Sequence, residues 1–158
     1  MPPGRIKQKE KHDMRICIRK VSETAIIPTR GSSEAAGYDL YADVKEDTVL
    51  EPGETKLIDT GLQIEIPEGY FAGIFARSGL ATREGLRPAN CVGVCDSDYR
   101  GNYLICMHND SSVPRVITPH EKIAQMIVLP YLQLEFEETT GDLSETSRGE
   151  AGFGSTGK

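Results

Sequence analysis

From Arg15 to Phe136 the chain is a succession of short alternating or apolar runs, each punctuated by glycine or proline. RICIRKV (15–21), YDLYADV (38–44), TKLIDTGLQIEI (55–66), YFAGIFA (70–76), NYLICMH (102–108), PRVIT (114–118) and KIAQMIVLPYLQLEF (122–136) all read as strands. A period of two places alternate side chains on one face of a pleated ribbon, which is the signature of half-buried sheet. EPGE (51–54), IPEGY (66–70) and SDYRGN (97–102) supply turns, and Pro130 marks an edge or a bulge in the last run. Only SGLATREGL (78–86) has helical character. Many brief strands beside one short helix predict an all-β sandwich, barrel or jelly roll.

With 158 residues the chain has room for one core and not for two comfortable ones. No apolar run approaches the roughly 20 residues that span a bilayer, and MPPGRIKQKEKHDM lacks the apolar stretch of a secretory signal. An intracellular, cytoplasmic protein is expected. The net charge of -6 is uneven, because residues 1–20 hold seven Lys/Arg against two Asp/Glu. Residues 1–13 are therefore expected to be a flexible, solvated basic extension, 14–136 the β domain, and 137–158 an acidic, then Gly-rich C-terminal arm. An acidic body disfavours broad nucleic-acid binding. An anionic ligand would have to be held by a few placed groups, together with a metal ion. Cys17, Cys91, Cys95 and Cys106 lie in strand-like sequence without a C-x-x-C knuckle. They are expected to be buried thiols acting as small apolar residues rather than a zinc site.

Five stretches carry more polar residues than a β core needs. In AAGYDLYA (35–42), Gly37 and Asp39 share one strand face. In ARSGLA (76–81) a strand gives way to the helical segment, so Ser78 is predicted as its N-cap, beside Arg77 with its planar donor fork. NCVGVCDSDYRGNYLI (90–105) is predicted as a hairpin with Asp96 and Asp98 at its bend and Tyr99 beside them. Two such aspartates are either turn formers or a general base near a polyanion. Gln125 interrupts KIAQMIVLP (122–130), most simply as a solvent-facing residue. Finally RGEAGFGSTGK (148–158) offers Arg148, Ser155, Thr156 and four glycines, a phosphate nest with Phe153 in its midst. From Gly152 it reads as a phosphate loop lacking its final Ser/Thr, but no strand–loop–helix frame surrounds it.

These five stretches, in this order, resemble the five motifs of the dUTP pyrophosphatases over nearly the whole chain, from about Arg15 to Lys158. The resemblance implies a jelly-roll-type β-barrel with one short helix, assembled as a homotrimer whose active sites are shared between subunits. It implies hydrolysis of dUTP to dUMP and diphosphate, with Mg²⁺ held by the triphosphate and waters and supported by Asp39. This activity limits uracil in DNA and supplies dUMP for dTMP synthesis. By the same resemblance Asp96 is the general base, Tyr99 lies under the deoxyribose, and Arg77, Ser78, Gly79 and Gln125 bind the phosphates. Asn90, Val94, Cys95 and Leu104 read the uracil edge, Arg148, Gly154, Ser155 and Thr156 grip the terminal phosphate, and Phe153 stacks on uracil. Ala76, Cys95 and Lys122 depart from the more usual Pro, Ile and Arg of the family. A dCTP deaminase shares the fold and part of the motif set, but would need a Glu-centred site in place of DSDYRG. A non-catalytic binding module is the other alternative, and the presence of Asp96 weighs against it.

Overall fold

The computed structural model describes residues 14–152. The basic extension 1–13 and the predicted site residues Phe153, Gly154, Ser155 and Thr156 lie outside them. The described residues form eleven strands: β1 Cys17–Lys20, β2 Tyr38–Tyr41, β3 Thr48–Leu50, β4 Thr55–Asp59, β5 Leu62–Glu65, β6 Tyr70–Phe75, β7 Leu86–Pro88, β8 Gly93–Cys95, β9 Leu104–Asn109, β10 Arg115–Ile117 and β11 Lys122–Pro130. The helical element is a five-residue π-turn, Leu80–Glu84. All the pairings are antiparallel. They group into sheets of order β1–β5, β10–β3, β2–β11–β6–β8 and β4–β9–β7.

The four sheets wrap one shared core that includes Leu40, Leu50, Leu62, Leu86, Tyr103, Met107, Ile117 and Ile123. The all-β expectation holds, while no continuous ladder closes the sheets into a barrel among the described residues. Alternation is legible in β9, where Ile105, Met107 and Asn109 point inward and Leu104, Cys106 and His108 do not. In β11 both Ile123 and Ala124 are buried, and the register slips between Lys122 and Ala124. A bulge turns two consecutive side chains to one face, which strict pleating forbids.

Several expectations are corrected. The predicted run 55–66 is two strands in different sheets, broken at Thr60–Gly61. Gly61 has φ +66°, and a Cβ there would lie 2.3 Å from Asp43 Oδ2. Only glycine fits this corner. The predicted hairpin over 90–105 is a crossover instead, since β8 pairs with β6 while β9 pairs with β4 and β7. Tyr103 causes the divergence: its N–H donates to Leu62 O and its carbonyl accepts from Thr60 N, drawing the chain into the second layer. The last run stops at Pro130 rather than Phe136. Tyr131 N still donates to Gly69 O, but beyond it Leu132, Leu134 and Phe136 are exposed. The cysteines are less buried than expected: Cys17 and Cys91 are exposed, Cys95 and Cys106 half-buried. Cys17 lies on the outward face of β1, and Cys91 in a left-handed bend at φ +48°.

Candidate active site

Two cavities lean on opposite edges of the sheet β2–β11–β6–β8, three strand spacings or roughly 14 Å apart. They share no lining residue.

The first is small, about 220 Å³. Drug-sized ligands occupy roughly 300–1,000 Å³, so this volume suits a single small ring. Asn90, Val94, Cys95, Asp96, Tyr99 and Leu104, six of the predicted residues, all line it. Gly93 lets the wall come close, since a Cβ there would sit 3.2 Å from Asn90 Nδ2 and 3.1 Å from Ile74 Cβ. Tyr99 is positioned twice over. Its hydroxyl donates to Asn102 O at 2.9 Å, and its ring lies against Gly101, where a Cβ would fall 2.4 Å from the hydroxyl oxygen. Asp96 also borders an adjoining polar cleft with Glu68 and Asp98. Among the described residues its carboxylate makes no ion pair or hydrogen bond.

Sequence reasoning missed Tyr103 and Asn102, which complete this wall. Tyr103 is 1% exposed, and its ring centroid lies 6.1 Å from that of Tyr99. Its hydroxyl finds no hydrogen-bond partner among the described residues. Burial pushes its pKa upward, and the neighbouring Cys95 adds to the shift. Burial likewise raises the Cys95 thiol; the Tyr103 hydroxyl lowers it and the Asp96 charge raises it further. Nothing in the alternating pattern distinguished Tyr103 from an ordinary strand residue. Asn102 bridges two layers, donating to Asp59 Oδ2 at 3.2 Å and accepting from Gln63 Nε2 at 3.0 Å.

The second cavity is lined by Gly37, Asp39, Arg77, Ser78, Gly79 and Gln125, among others. All but Gly37 were predicted as site residues, and Gly37 was predicted to share the face of Asp39. Cross-strand pairing sets Asp39 opposite Gln125, and Gln125 opposite Phe75. Gln125 is not simply solvent-facing. Its Nε2 donates to Ala76 O at 2.9 Å, tying β11 to the residue before Arg77. Its Oε1 fills the space a Cβ at Gly37 would need, at 2.3 Å. Asp39, with 16% of its side chain exposed, binds two cations: Arg77 Nε at 3.1 Å and Lys122 Nζ at 2.9 Å. Arg77 Nη1 also donates to Lys122 O at 3.2 Å, which leaves Nη2 unengaged among the described residues. The hydrogen bond from Lys122 to Asp39, and the charge of Asp39, raise the lysine's pKa. Lysine at 122 thus makes an ion pair in this structure. Ser78 is not an N-cap. The cap position is Gly79, no side chain caps it, and Ser78 O accepts from Thr82 Oγ1 at 2.6 Å. The wider π geometry has drawn Ser78 into the turn itself.

Arg148 lies in the exposed arm, where its Nε donates to Ala151 O at 2.7 Å. The structure does not bring it to either cavity's lining.

The sequence profile of the dUTPase family matches residues 23–157. A deoxyuridine 5'-triphosphate nucleotidohydrolase of Nautilia profundicola is 45% identical over 92% of this chain and 100% of its own length. One from Desulfitobacterium hafniense is 48% identical over 83% of this chain and 87% of its own. Among solved structures, a Staphylococcus bacteriophage 80alpha dUTPase with dUpNHpp has TM-score 0.78 at 27% identity, covering 91% of this chain and 99% of that one. A dUTPase from phage phi11 of S. aureus, described with a structural Mg(II) ion, has TM-score 0.75 at 26% identity over 83% of this chain and 100% of its own. Five motifs in order, a ring-sized cavity, a basic cavity and this breadth of likeness agree: the chain belongs to the dUTPase family.

Proposed function

We propose that the chain hydrolyses dUTP to dUMP and diphosphate, with Asp96 activating the attacking water at the α-phosphate. The observation that carries this reading is the Asp96 carboxylate, unpaired among the described residues, on the rim of a cavity sized for one pyrimidine ring. Uracil enters that cavity, edge-on to the Asn90 amide and to the backbone of Val94, Cys95 and Leu104, and the deoxyribose packs on Tyr99. Thymine's methyl and cytosine's reversed donor pattern are rejected by the same close wall. The phosphates lie in the basic cavity, against Arg77 Nη2, Ser78, Gly79 and Gln125. Hydrolysis of a phosphoanhydride is mainly positioning and charge stabilisation, so one base beside fixed cations suffices.

The donor set fits a Mg²⁺ that arrives on the substrate. Among the described residues no three His, Cys, Asp or Glu side chains form a ligand cluster. Asp39 already accepts from Arg77 and Lys122, and a carboxylate's roughly four acceptor positions leave it room to hold a metal-bound water. When bound, the ion neutralises phosphate charge.

Because the two cavities lie on opposite sheet edges, a nucleotide meets both only where a second copy brings its basic cavity to the first copy's ring cavity. A homotrimer with shared sites satisfies this, with the exposed Leu132, Leu134 and Phe136 beyond β11 seeking a neighbour. Arg148 and Phe153–Thr156 then close over the nucleotide as a lid. In a cell such an enzyme keeps uracil out of DNA and supplies dUMP for dTMP synthesis.

The reading is tested by supplying Mg²⁺ and each nucleoside triphosphate in turn and measuring diphosphate. Release is expected from dUTP, with little from dTTP, dCTP or UTP, and Asp96→Asn is expected to bind dUTP without turning it over. Ammonia released from dCTP would replace this reading with a deaminase.

A further inference from the structure

The basic cavity is less basic than its sequence suggests. Arg77 and Lys122 both contact Asp39, so the three side chains together leave a single positive charge to meet a polyanion. A third cation lies against the cavity's lining, though not itself within it. The guanidinium of Arg83 folds back over Gly79, a lining residue of the cavity. A Cβ on Gly79 would lie 2.7 Å from Arg83 Nη2 and 3.4 Å from Cζ. Among the described residues Arg83 makes no ion pair and no hydrogen bond, and it is exposed.

This placement follows from the local backbone. In the Leu80–Glu84 π-turn the helix is wider than an α-helix, and a long side chain at 83 reaches back across the preceding turn to residue 79. Glycine at 79 leaves the space into which the guanidinium settles. An arginine with no carboxylate partner among the described residues, its Nη2 nearest to a residue that lines the basic cavity, can present its donor fork to an oxyanion there.

We propose that Arg83 is a further substrate-binding residue of this chain, donating to a phosphate oxygen of the nucleotide seated over Gly79. The proposal rests on the reading above that dUTP phosphates occupy this cavity. Arg83 would then add a cation that Asp39 does not compensate to the donors already offered by Arg77.

The test uses the full chain with Mg²⁺ and three probes: dUpNHpp, inorganic tripolyphosphate and deoxyuridine. Arg83→Gln is expected to weaken dUpNHpp and tripolyphosphate about tenfold, the loss of one charge-assisted hydrogen bond, and to leave deoxyuridine within about twofold. KM for dUTP should rise by a similar factor with kcat nearly unchanged, and Arg83→Lys should recover part of the loss. Unchanged affinity for both phosphate probes would overturn the proposal. So would equal weakening of all three, because a merely structural arginine has no preference for phosphate. Should the wild-type chain bind tripolyphosphate through Arg83 yet fail to cleave dUTP, the functional reading falls and the anion site stands.

Discussion

At the scale of single residues the site depends on close approach. Tyr99 can lie where it does because Gly101 has no side chain. Gly101→Ala is therefore expected to push the ring out of place and lower kcat/KM for dUTP about 10- to 100-fold, with little change in Tm, as displacements of about 1 Å do near reacting groups. Unchanged kinetics would remove Tyr99 from the proposed site. Cys95 gives a pH signature. Burial raises its thiol above the ordinary cysteine value, so the folded chain keeps the proton where the unfolded chain loses it. Its contribution to stability is whole below the ordinary thiol pKa and is lost as pH rises through the raised value. Denaturant midpoints between neutral and alkaline pH should fall less in Cys95→Ser than in the wild type. Asp96 and Tyr99 of the ring cavity were legible because polar groups crowded a strand end, while Asn90, Val94, Cys95 and Leu104 were reached only through the resemblance to the family. Tyr103 was not, because its burial depends on a crossover that no local pattern records.

Among the elements, β9 shows how a polar residue can anchor a core. Asn109 is fully buried at its end, and all its polar positions are used: Nδ2 donates to Leu50 O and Val113 O, each at 2.9 Å, and Oδ1 accepts from Ser111 N and Oγ. It fastens β3, β9 and the following loop together. Asn109→Ala should cost roughly 2–4 kcal/mol in chemical denaturation, since it strands several buried groups at once. A loss below about 1 kcal/mol would mean that the loop finds other partners. Strand positions were legible wherever alternation ran four residues or more. The three-residue strands β3 and β7 were not, since they are held by partners distant in sequence. The split at Gly61 needed knowledge of Asp43 across the corner, and the alternation past Pro130 misled because Leu132, Leu134 and Phe136 find no sheet to join among the described residues.

On the scale of the whole molecule, the prediction concerns mixing. Asp96→Asn and Arg77→Ala should each be inactive alone. Unfolded together and refolded, they should regain activity at about a quarter of the sites if each site takes one cavity from each of two copies. No recovery, with mixed oligomers shown to form, would place both cavities' functions within one copy. The single core and the all-β class could be read from the spacing of the runs. The separation of the two cavities onto opposite edges could not, because it is a property of strand order rather than of strand sequence.

The two outer strands of that sheet carry chemistry, but its two inner strands carry both cavities at once. β6 and β11 pair from Gln125–Phe75 to Pro130–Tyr70 without interruption. A slip of one residue there would turn Gln125 and Ile74 away together, so no insertion in this pair can spare one cavity while harming the other. Sequence drift in such a protein has little freedom between residues 70–75 and 122–130. The centre of the sheet is where change would be least forgiven.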